Sequence, residues 1–372
     1  MPSVYLHIGA AKTGTTYLQD LLFAGRSTLA GAGVLVPGGY AQSHFYAALD
    51  VRGMKFGGHD DPGVRGRWKR LVAETLAFSG PRVVISHELF GGGLEPVVDT
   101  VADAFADVDL HVVLTARDLG RQVPAVWQEQ VKNAGTVDFP RYVDMLVREP
   151  RKGKAARIFW RQQHLAEVAE RWCARVPAER FHVVTVAPSG SDPALLWNRF
   201  AAVVGVDPDL VDVSRPSVNP SLTYAGAELL RRVNASLDDD LVWPDYERTV
   251  KGWFAEDLLV AHSSGPRAAV PVEHRTWFTQ RQADIVRRLR DLRVDVVGDL
   301  NELQPAFGDE SAAPEPNAVL DAATDALAVL LRERASRHGS GEGTLAARAR
   351  RSPVARHLPQ GVRTWLKRRV TE

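Results

Sequence analysis

The N-terminal stretch of residues 4–19, VYLHIGAAKTGTTYLQ, constrains the fold of this chain more than any other segment. Residues 4–8 form an apolar run of strand length, and a turn bounded by Gly9 and Gly14 leads into the start of an amphipathic helix. A glycine turn between a strand and a helix directs backbone N–H groups and the positive end of the helix dipole toward one point. The stretch therefore predicts an anion-binding loop at the carboxyl end of a first β-strand.

The loop differs from that of nucleotide-hydrolysing P-loop proteins in the position of its lysine. Gly9 and Gly14 have the spacing of the two P-loop glycines, but Thr15 and Thr16 follow where that pattern has Lys-Ser/Thr. The only lysine of the loop, Lys12, lies inside it. Since the loop lacks the Lys-Ser/Thr pair, whose hydroxyl binds magnesium, we expect no metal.

The same residues resemble the 5′-phosphosulfate loop of sulfotransferases that use 3′-phosphoadenosine 5′-phosphosulfate (PAPS). That family usually has Pro-Lys-(Thr/Ser/Gly)-Gly-(Thr/Ser)-(Thr/Ser), and this chain departs from it only by an alanine in place of the proline. Weaker resemblance extends to about residue 305. The resemblance implies PAPS as co-substrate, a catalytic role for Lys12 at the oxygen that bridges sulfur and phosphorus, and a donor loop. The donor loop consists of Ala11, Lys12, Thr13, Gly14, Thr15, Thr16 and Tyr17.

A general base is predicted at the end of a second buried strand. Residues 82–88, RVVISHE, end in His87 and Glu88, and ligands gather at the carboxyl ends of strands in doubly wound sheets. In related sulfotransferases a His or Glu after this kind of strand takes the acceptor proton. Neighbouring strand residues face opposite sides, so we expect only one of the two to point at the co-substrate. The sequence does not choose between them.

A third strand, residues 108–118, ends in Arg117, which matches the family arginine that binds the 3′-phosphate. A planar guanidinium suits that role because it donates two parallel hydrogen bonds to phosphate. The family serine eight residues later is replaced by Ala125. Either Gln122 or Gln128 supplies the missing hydrogen bond, or the 3′ end is held differently.

The alternation of strands and helices predicts a three-layer α/β/α domain with a mostly parallel central sheet, similar to P-loop NTPases. Residues 158–176 are predicted as one helix, and residues 38–66 as either a binding lid or an irregular surface loop. The basic turn 151–154 is either a phosphate or acceptor contact or simply solvated. Asn219 and Ser221 are weak candidates for the co-substrate rim.

We expect the α/β domain to span residues 1–305, a linker and helix to span 306–337, and a basic, flexible tail to span 338–372. Residues 335–343 are polar and glycine-rich, which also predicts flexibility. The tail is either a disordered solubilising segment or a peripheral contact with an anionic membrane surface.

Composition limits the class of protein further. The 372 residues carry a formal net charge of +1, which argues against bulk nucleic-acid binding, and the lone Cys173 cannot form an intrachain disulfide. No apolar run approaches a membrane span, and no signal peptide is evident, so we expect a cytoplasmic protein, in contact at most with the inner face of the membrane.

The sequence leaves the acceptor open among a carbohydrate, a glycolipid and a small hydroxylated or amino metabolite. Two other functions also stay open. One is a magnesium-dependent P-loop kinase or NTPase, and the other is a catalytically inactive sulfotransferase-like protein that only binds nucleotide or a partner.

Overall fold

The structure is a computed structural model that describes residues 2–148, 152–214, 221–237, 241–262, 265–309 and 313–351, with side chains up to residue 336. Three sequence predictions concern residues outside these ranges. They are Arg151 of the basic turn, Asn219 of the candidate rim, and the basic side chains of the tail.

The described chain forms a six-stranded sheet in which every neighbouring pair of strands is parallel. The spatial order is β2-β3-β1-β4-β5-β6. The strands are β1 (Ser3–His7), β2 (Val34–Leu35), β3 (Arg82–Ser86), β4 (Asp109–Ala116), β5 (Phe181–Thr185) and β6 (Asp295–Val297). β1 lies in the sheet between β3 and β4, and the chain adds β2 and β3 on one side of it and β4 to β6 on the other. Such a switch point opens a crevice at the carboxyl ends of the strands.

Helices connect and cover these strands. The first half of the chain contains α1 (Thr15–Ala24), α2 (Arg26–Gly31), α3 (Gln42–Val51), α4 (Arg67–Leu76), α5 (Glu95–Ala104), α6 (Leu119–Lys132) and α7 (Phe139–Arg148). The second half contains α8 (Lys154–Gln163), α9 (Leu165–Cys173), α10 (Leu195–Val204), α11 (Tyr224–Leu237), α12 (Trp243–Tyr246), α13 (Val260–His262), α14 (Val272–Asp291) and α15 (Pro316–Arg351). Between α12 and α13 the chain is π-helical over Glu247–Leu259, so 243–262 is one continuous helical segment.

The two faces of the sheet are both buried, as the apolar strands require. On one face, Val84, Val113 and Val184 pack with α1, α2 and α10 in a single hydrophobic cluster. The alternate residues of the same strands, such as Leu6 and Ile85, are also fully buried, on the other face. There α9 contacts both β5 and α5. The predicted three-layer α/β/α fold is therefore confirmed.

One local prediction was wrong, and one of the two alternatives for residues 38–66, the irregular loop, was also wrong. The helix predicted over 158–176 breaks at His164, whose backbone leaves the helical region and whose Nδ1 accepts a hydrogen bond from Glu167 N (3.3 Å), so that it caps α9. The 38–66 segment is not a simple loop, because it contains α3. Its buried His44 accepts from Ser86 N (3.2 Å) and donates to Pro37 O (2.9 Å), which fixes α3 against β3.

The chain divides into two compact units, Met1–Val319 and Leu320–Glu372. The sequence prediction had placed the end of the α/β domain at residue 305. Helix α15 runs to Arg351 and includes residues 335–343, which we had expected to be flexible. Among the described helices, none has the length and apolar character needed to cross a membrane.

Candidate functional site

The loop between β1 and α1 is anchored to the centre of the sheet. Ile8 N donates to Val113 O (2.9 Å) and Ala10 N donates to Thr115 O (2.8 Å), so the loop continues along β4 after β1 has ended. Gly9 has φ 91°, and a Cβ on it would lie 2.7 Å from the Cβ of Glu88. Only glycine permits both the conformation and the close approach. The loop is therefore held directly beside the end of β3.

Gly14 turns the chain from the loop into α1. It has φ 86°, and a Cβ on it would lie 2.4 Å from Leu196 Cδ2. No side-chain hydrogen bond caps α1 at this residue, and its first turn contains no acidic residue. The N-terminus of α1 therefore offers unsatisfied N–H groups and a positive dipole end to an anion.

A buried polar network supports the loop from below. The hydroxyl of Thr13 donates to Ala10 O (2.5 Å) and lies 2.5 Å from that of Thr115. His7 lies between Thr115 Oγ1 (3.2 Å) and Ser86 Oγ (2.7 Å), and burial lowers its pKa to about 4, so it is neutral at pH 7. The Thr13 side chain, predicted as a donor ligand, thus points into the protein. Only its backbone is left to contact an anion.

A cavity of about 830 Å³ lies over the loop, within the size range of small-molecule sites. Its walls come from the loop, α1, the ends of β3 and β4, α6 and the 243–262 helical segment. Of the predicted site residues, Ala11, Lys12, Gly14, Thr15, Thr16, Glu88 and Arg117 line it. Thr13, Tyr17 and His87 are not among its lining residues. The Tyr17 hydroxyl is buried and has no hydrogen-bond partner among the described residues, and the ring packs against the hydrophobic cluster.

Lys12 reaches the cavity wall rather than open solvent. It has a positive φ of 66°, and its Nζ lies 3.1 Å from Glu129 Oε2 on α6. A second ammonium, Lys251 Nζ, lies 3.0 Å from Glu129 Oε1. Burial favours the protonated form of Glu129, but the two lysines outweigh it and lower its pKa to about 2. Sequence reasoning missed Glu129 and Lys251, because nothing local to either residue marks it.

The two candidate bases occupy different environments. His87 Nδ1 accepts from Leu89 N (3.2 Å) and caps the short 3₁₀ turn Glu88–Phe90, and its ring lies 5.2 Å from that of Phe45. Burial lowers the pKa of His87. Glu88 lines the cavity and accepts from Gln19 Nε2 (3.2 Å). Burial opposes its ionisation, but His87, a backbone N–H and Gln19 outweigh burial and lower its pKa.

Arg117 lies between the loop cavity and a smaller one of about 410 Å³. Its Nη1 donates to Lys12 O (3.3 Å), its Nε is buried without a partner, and in the described part of the chain it forms no ion pair. Burial and the charges of Arg121 and Arg267 lower its pKa to about 10, against the opposing effect of Asp118. A half-buried guanidinium whose Nε–H has no partner among the described residues, beside a second arginine, fits an anionic ligand.

The place of the missing serine is occupied by other groups. Ala125, Gln128 and Ser221 line both cavities, and Arg267 lines the smaller one. Gln128 Nε2 donates to Leu222 O (3.1 Å), so this amide is already engaged.

The amide nitrogen of Gln122, the other candidate replacement, is engaged as well. Its Nε2 donates to Ala11 O and to Gln163 Oε1 (2.8 Å), so Gln122 supports the loop backbone. Gln163 and Arg267 are further residues that sequence reasoning missed. Only the fold brings them to the loop and to Arg117.

Within the described residues, no group of three or more His, Cys, Asp or Glu side chains is arranged to hold a metal ion. No protein-family model matches the chain, and no curated protein is significantly similar to it. Among solved structures, the chain is similar to a crystal structure of a sulfotransferase from Alicyclobacillus acidocaldarius. The sequence identity is 16%, the TM-score is 0.44, and the match covers 79% of this chain and 97% of that one.

Proposed function

We propose that this chain is a sulfotransferase that moves the sulfuryl group of PAPS to a hydroxyl or amine of a carbohydrate, glycolipid or small metabolite. The observation that carries the proposal is the convergence of three groups on one cavity over an anion-binding loop. These groups are an ammonium inside the loop (Lys12), a carboxylate at the end of the neighbouring strand (Glu88) and a half-buried guanidinium (Arg117) that has no ion pair among the described residues.

The donor's 5′-phosphosulfate is assigned to the loop. The uncapped N-terminus of α1 and the hydroxyls of Thr15 and Thr16 offer hydrogen bonds to its oxygens. We assign the 3′-phosphate to Arg117, with Arg267 and Ser221 at the rim of the smaller cavity, where Ala125 leaves room. Two arginines and a hydroxyl would then replace the family's arginine and serine.

The proposed transfer step assigns a role to each group according to the charge that develops on the reacting atoms. The acceptor oxygen or nitrogen forms a bond to sulfur, the bond from sulfur to the 5′-phosphate oxygen breaks, and the acceptor proton passes to Glu88. Lys12 supplies positive charge at the departing oxygen, where negative charge grows in the transition state. Glu88 is the better candidate for the base because it lines the cavity, whereas His87 Nδ1 is committed to the Leu89 N–H. As in phosphoryl transfer, positioning of the reactants and electrostatic stabilisation are expected to supply most of the rate enhancement.

Isothermal titration of the protein with 3′,5′-phosphoadenosine, and separately with ATP with and without magnesium, tests the function directly. We expect metal-independent binding of 3′,5′-phosphoadenosine and transfer of labelled sulfate from PAPS to a component of cell extract. Magnesium-dependent ATP binding would instead indicate a kinase or NTPase. Nucleotide binding without sulfate transfer to any extract would indicate the inactive protein.

Arg117→Ala is expected to weaken the binding of 3′,5′-phosphoadenosine by about 30- to 100-fold, because hydrogen bonds to a charged group contribute roughly 1.5–3 kcal/mol. Adenosine 5′-phosphate is the matched control ligand, and its affinity should change by less than about threefold. Titration calorimetry of both ligands gives the two ratios. Equal weakening of both would reject the 3′-phosphate assignment.

Arg267→Ala is expected to show the same ligand selectivity with a smaller loss, about threefold to tenfold, because Arg267 is exposed and solvent screens its charge. The same pair of titrations measures it. An unchanged affinity for 3′,5′-phosphoadenosine would remove Arg267 from the site.

A further inference from the structure

The ammonium that the proposed chemistry needs at the donor is held in this structure by a carboxylate of the cavity wall. Lys12 Nζ lies 3.1 Å from Glu129 Oε2. The other oxygen of Glu129 accepts from Lys251 Nζ (3.0 Å) and from Asn133 Nδ2 (3.0 Å). Lys251 also donates to Asn133 Oδ1 (2.9 Å). Glu129 thus connects the loop with the π-helical segment Glu247–Leu259.

The charge of Glu129 persists at any ordinary assay pH, because its pKa is about 2. An anionic ligand that enters the cavity must therefore approach a carboxylate and draw Lys12 away from it. If Lys12 were its only partner, Glu129 would then be a half-buried charge without a counterion, which is unfavourable. Lys251 removes that difficulty, because it keeps Glu129 paired after Lys12 has left.

We propose that Glu129 and Lys251 are positioning residues for Lys12, a pair that we call the lysine clasp. The proposal rests on the proposed function, because it assigns Lys12 to an anionic donor. Without donor, Glu129 holds Lys12 against α6. With donor, Lys12 turns to the donor, and Lys251 remains as the cation paired with Glu129. The clasp thereby sets how tightly the donor and its product bind.

The location of Lys251 supports this role. π-Helical winding is rare and frequently occurs at functional sites. The same π-helical segment carries a second contact with α6, in which Glu256 Oε1 lies 3.1 Å from Lys132 Nζ. Glu256 lines the same cavity but is not paired with Lys12, so it offers a matched control for the charge of Glu129.

The first test is a double-mutant cycle on the binding of 3′,5′-phosphoadenosine. We expect Glu129→Gln to tighten binding about fivefold, because Lys12 is then free to contact the ligand. We expect Lys251→Gln to weaken binding about fivefold, because Lys12 is then the remaining cation that pairs with Glu129 and is harder to draw away from it. In the double variant the effect of Lys251→Gln should vanish. Glu256→Gln should change the affinity by less than about twofold.

Two results of this cycle would overturn the clasp. One is that the binding free-energy changes of Glu129→Gln and Lys251→Gln simply add in the double variant. Additivity is expected if each side chain acts on the ligand only through its own charge, independently of Lys12. The other is an equal tightening by Glu256→Gln, which would make the effect independent of Lys12.

The second test needs no ligand. Hydrogen–deuterium exchange followed by mass spectrometry should show faster exchange of the amides of 247–259 in Glu129→Gln than in the wild type. Arg248→Gln is the control on the same helical segment, since Arg248 pairs with the neighbouring Asp245 (2.6 Å), and it should not alter this exchange. If the wild type failed to bind 3′,5′-phosphoadenosine, the proposed function would fail and the clasp with it. If the wild type binds this ligand, the exchange comparison tests the clasp separately from the proposed function. Equal exchange in wild type and Glu129→Gln overturns the clasp.

Discussion

Lys12→Ala is expected to lower kcat for sulfate transfer by about 100- to 1,000-fold, or roughly 3–4 kcal/mol in the barrier. In the proposed mechanism, the ammonium of Lys12 supplies positive charge where the leaving oxygen becomes negative. The α/β fold should persist, because Lys12 is part-exposed and is not a member of the hydrophobic cluster that α1, α2 and α10 form on the sheet. Steady-state transfer rates at saturating PAPS, with circular dichroism as the check on folding, measure the effect.

Lys12→Arg is the matched variant for Lys12→Ala. It keeps the charge but changes its reach and shape, so it should recover part of the lost rate while still contacting Glu129. Lys55→Ala, which removes an exposed lysine paired with Asp60, should leave kcat unchanged. Near-normal turnover in Lys12→Ala would remove this residue from the chemistry.

Glu88→Gln is the second large prediction, with kcat expected to fall by about 100-fold or more, as typical for loss of a general base. The substitution keeps the shape of the side chain, so the loop should still approach β3 at Gly9. The affinity for 3′,5′-phosphoadenosine should change little, because Glu88 is assigned to the acceptor. Rate and binding measurements on the same preparation separate the two effects.

His87→Asn is the control for Glu88→Gln. Asparagine can still accept from Leu89 N at the start of the 3₁₀ turn, so this variant should lose less than about fivefold in kcat. The opposite ranking, with His87→Asn inactive and Glu88→Gln active, would move the base to His87.

The pH profile gives an independent check on Glu88. The base must be ionised to work, so activity is lost as pH falls through its pKa. Because the pKa of Glu88 is lowered, the acid limb of kcat/KM should lie below the ordinary glutamate value of about 4.3. A limb above that glutamate value but below the ordinary histidine value of about 6.5 would indicate His87 instead, because burial lowers the pKa of His87.

The main features of the fold were predictable because their signals are local. The apolar strands, the glycines at 9 and 14 and the helices that follow gave an α/β sheet with the loop after its first strand. The break at His164 was not predicted, because the apolar periodicity runs through it and only the capping hydrogen bond to Glu167 N reveals it.

The sequence by itself determined the glycine-bounded loop after β1, the position of Lys12 inside it, and the placement of Arg117 and the His87-Glu88 pair at the same edge of the sheet. These follow from residue spacing and from the rule that parallel strands end together. Tertiary structure decided the rest. The direction of Glu88 depends on the 3₁₀ turn that it enters, and the Thr13 hydroxyl turns inward because Thr115 lies beneath it. Glu129 meets Lys12 across 117 residues and Lys251 across 122. Charges so far apart in sequence become partners only when the packing of α6 and the 243–262 helical segment brings them together.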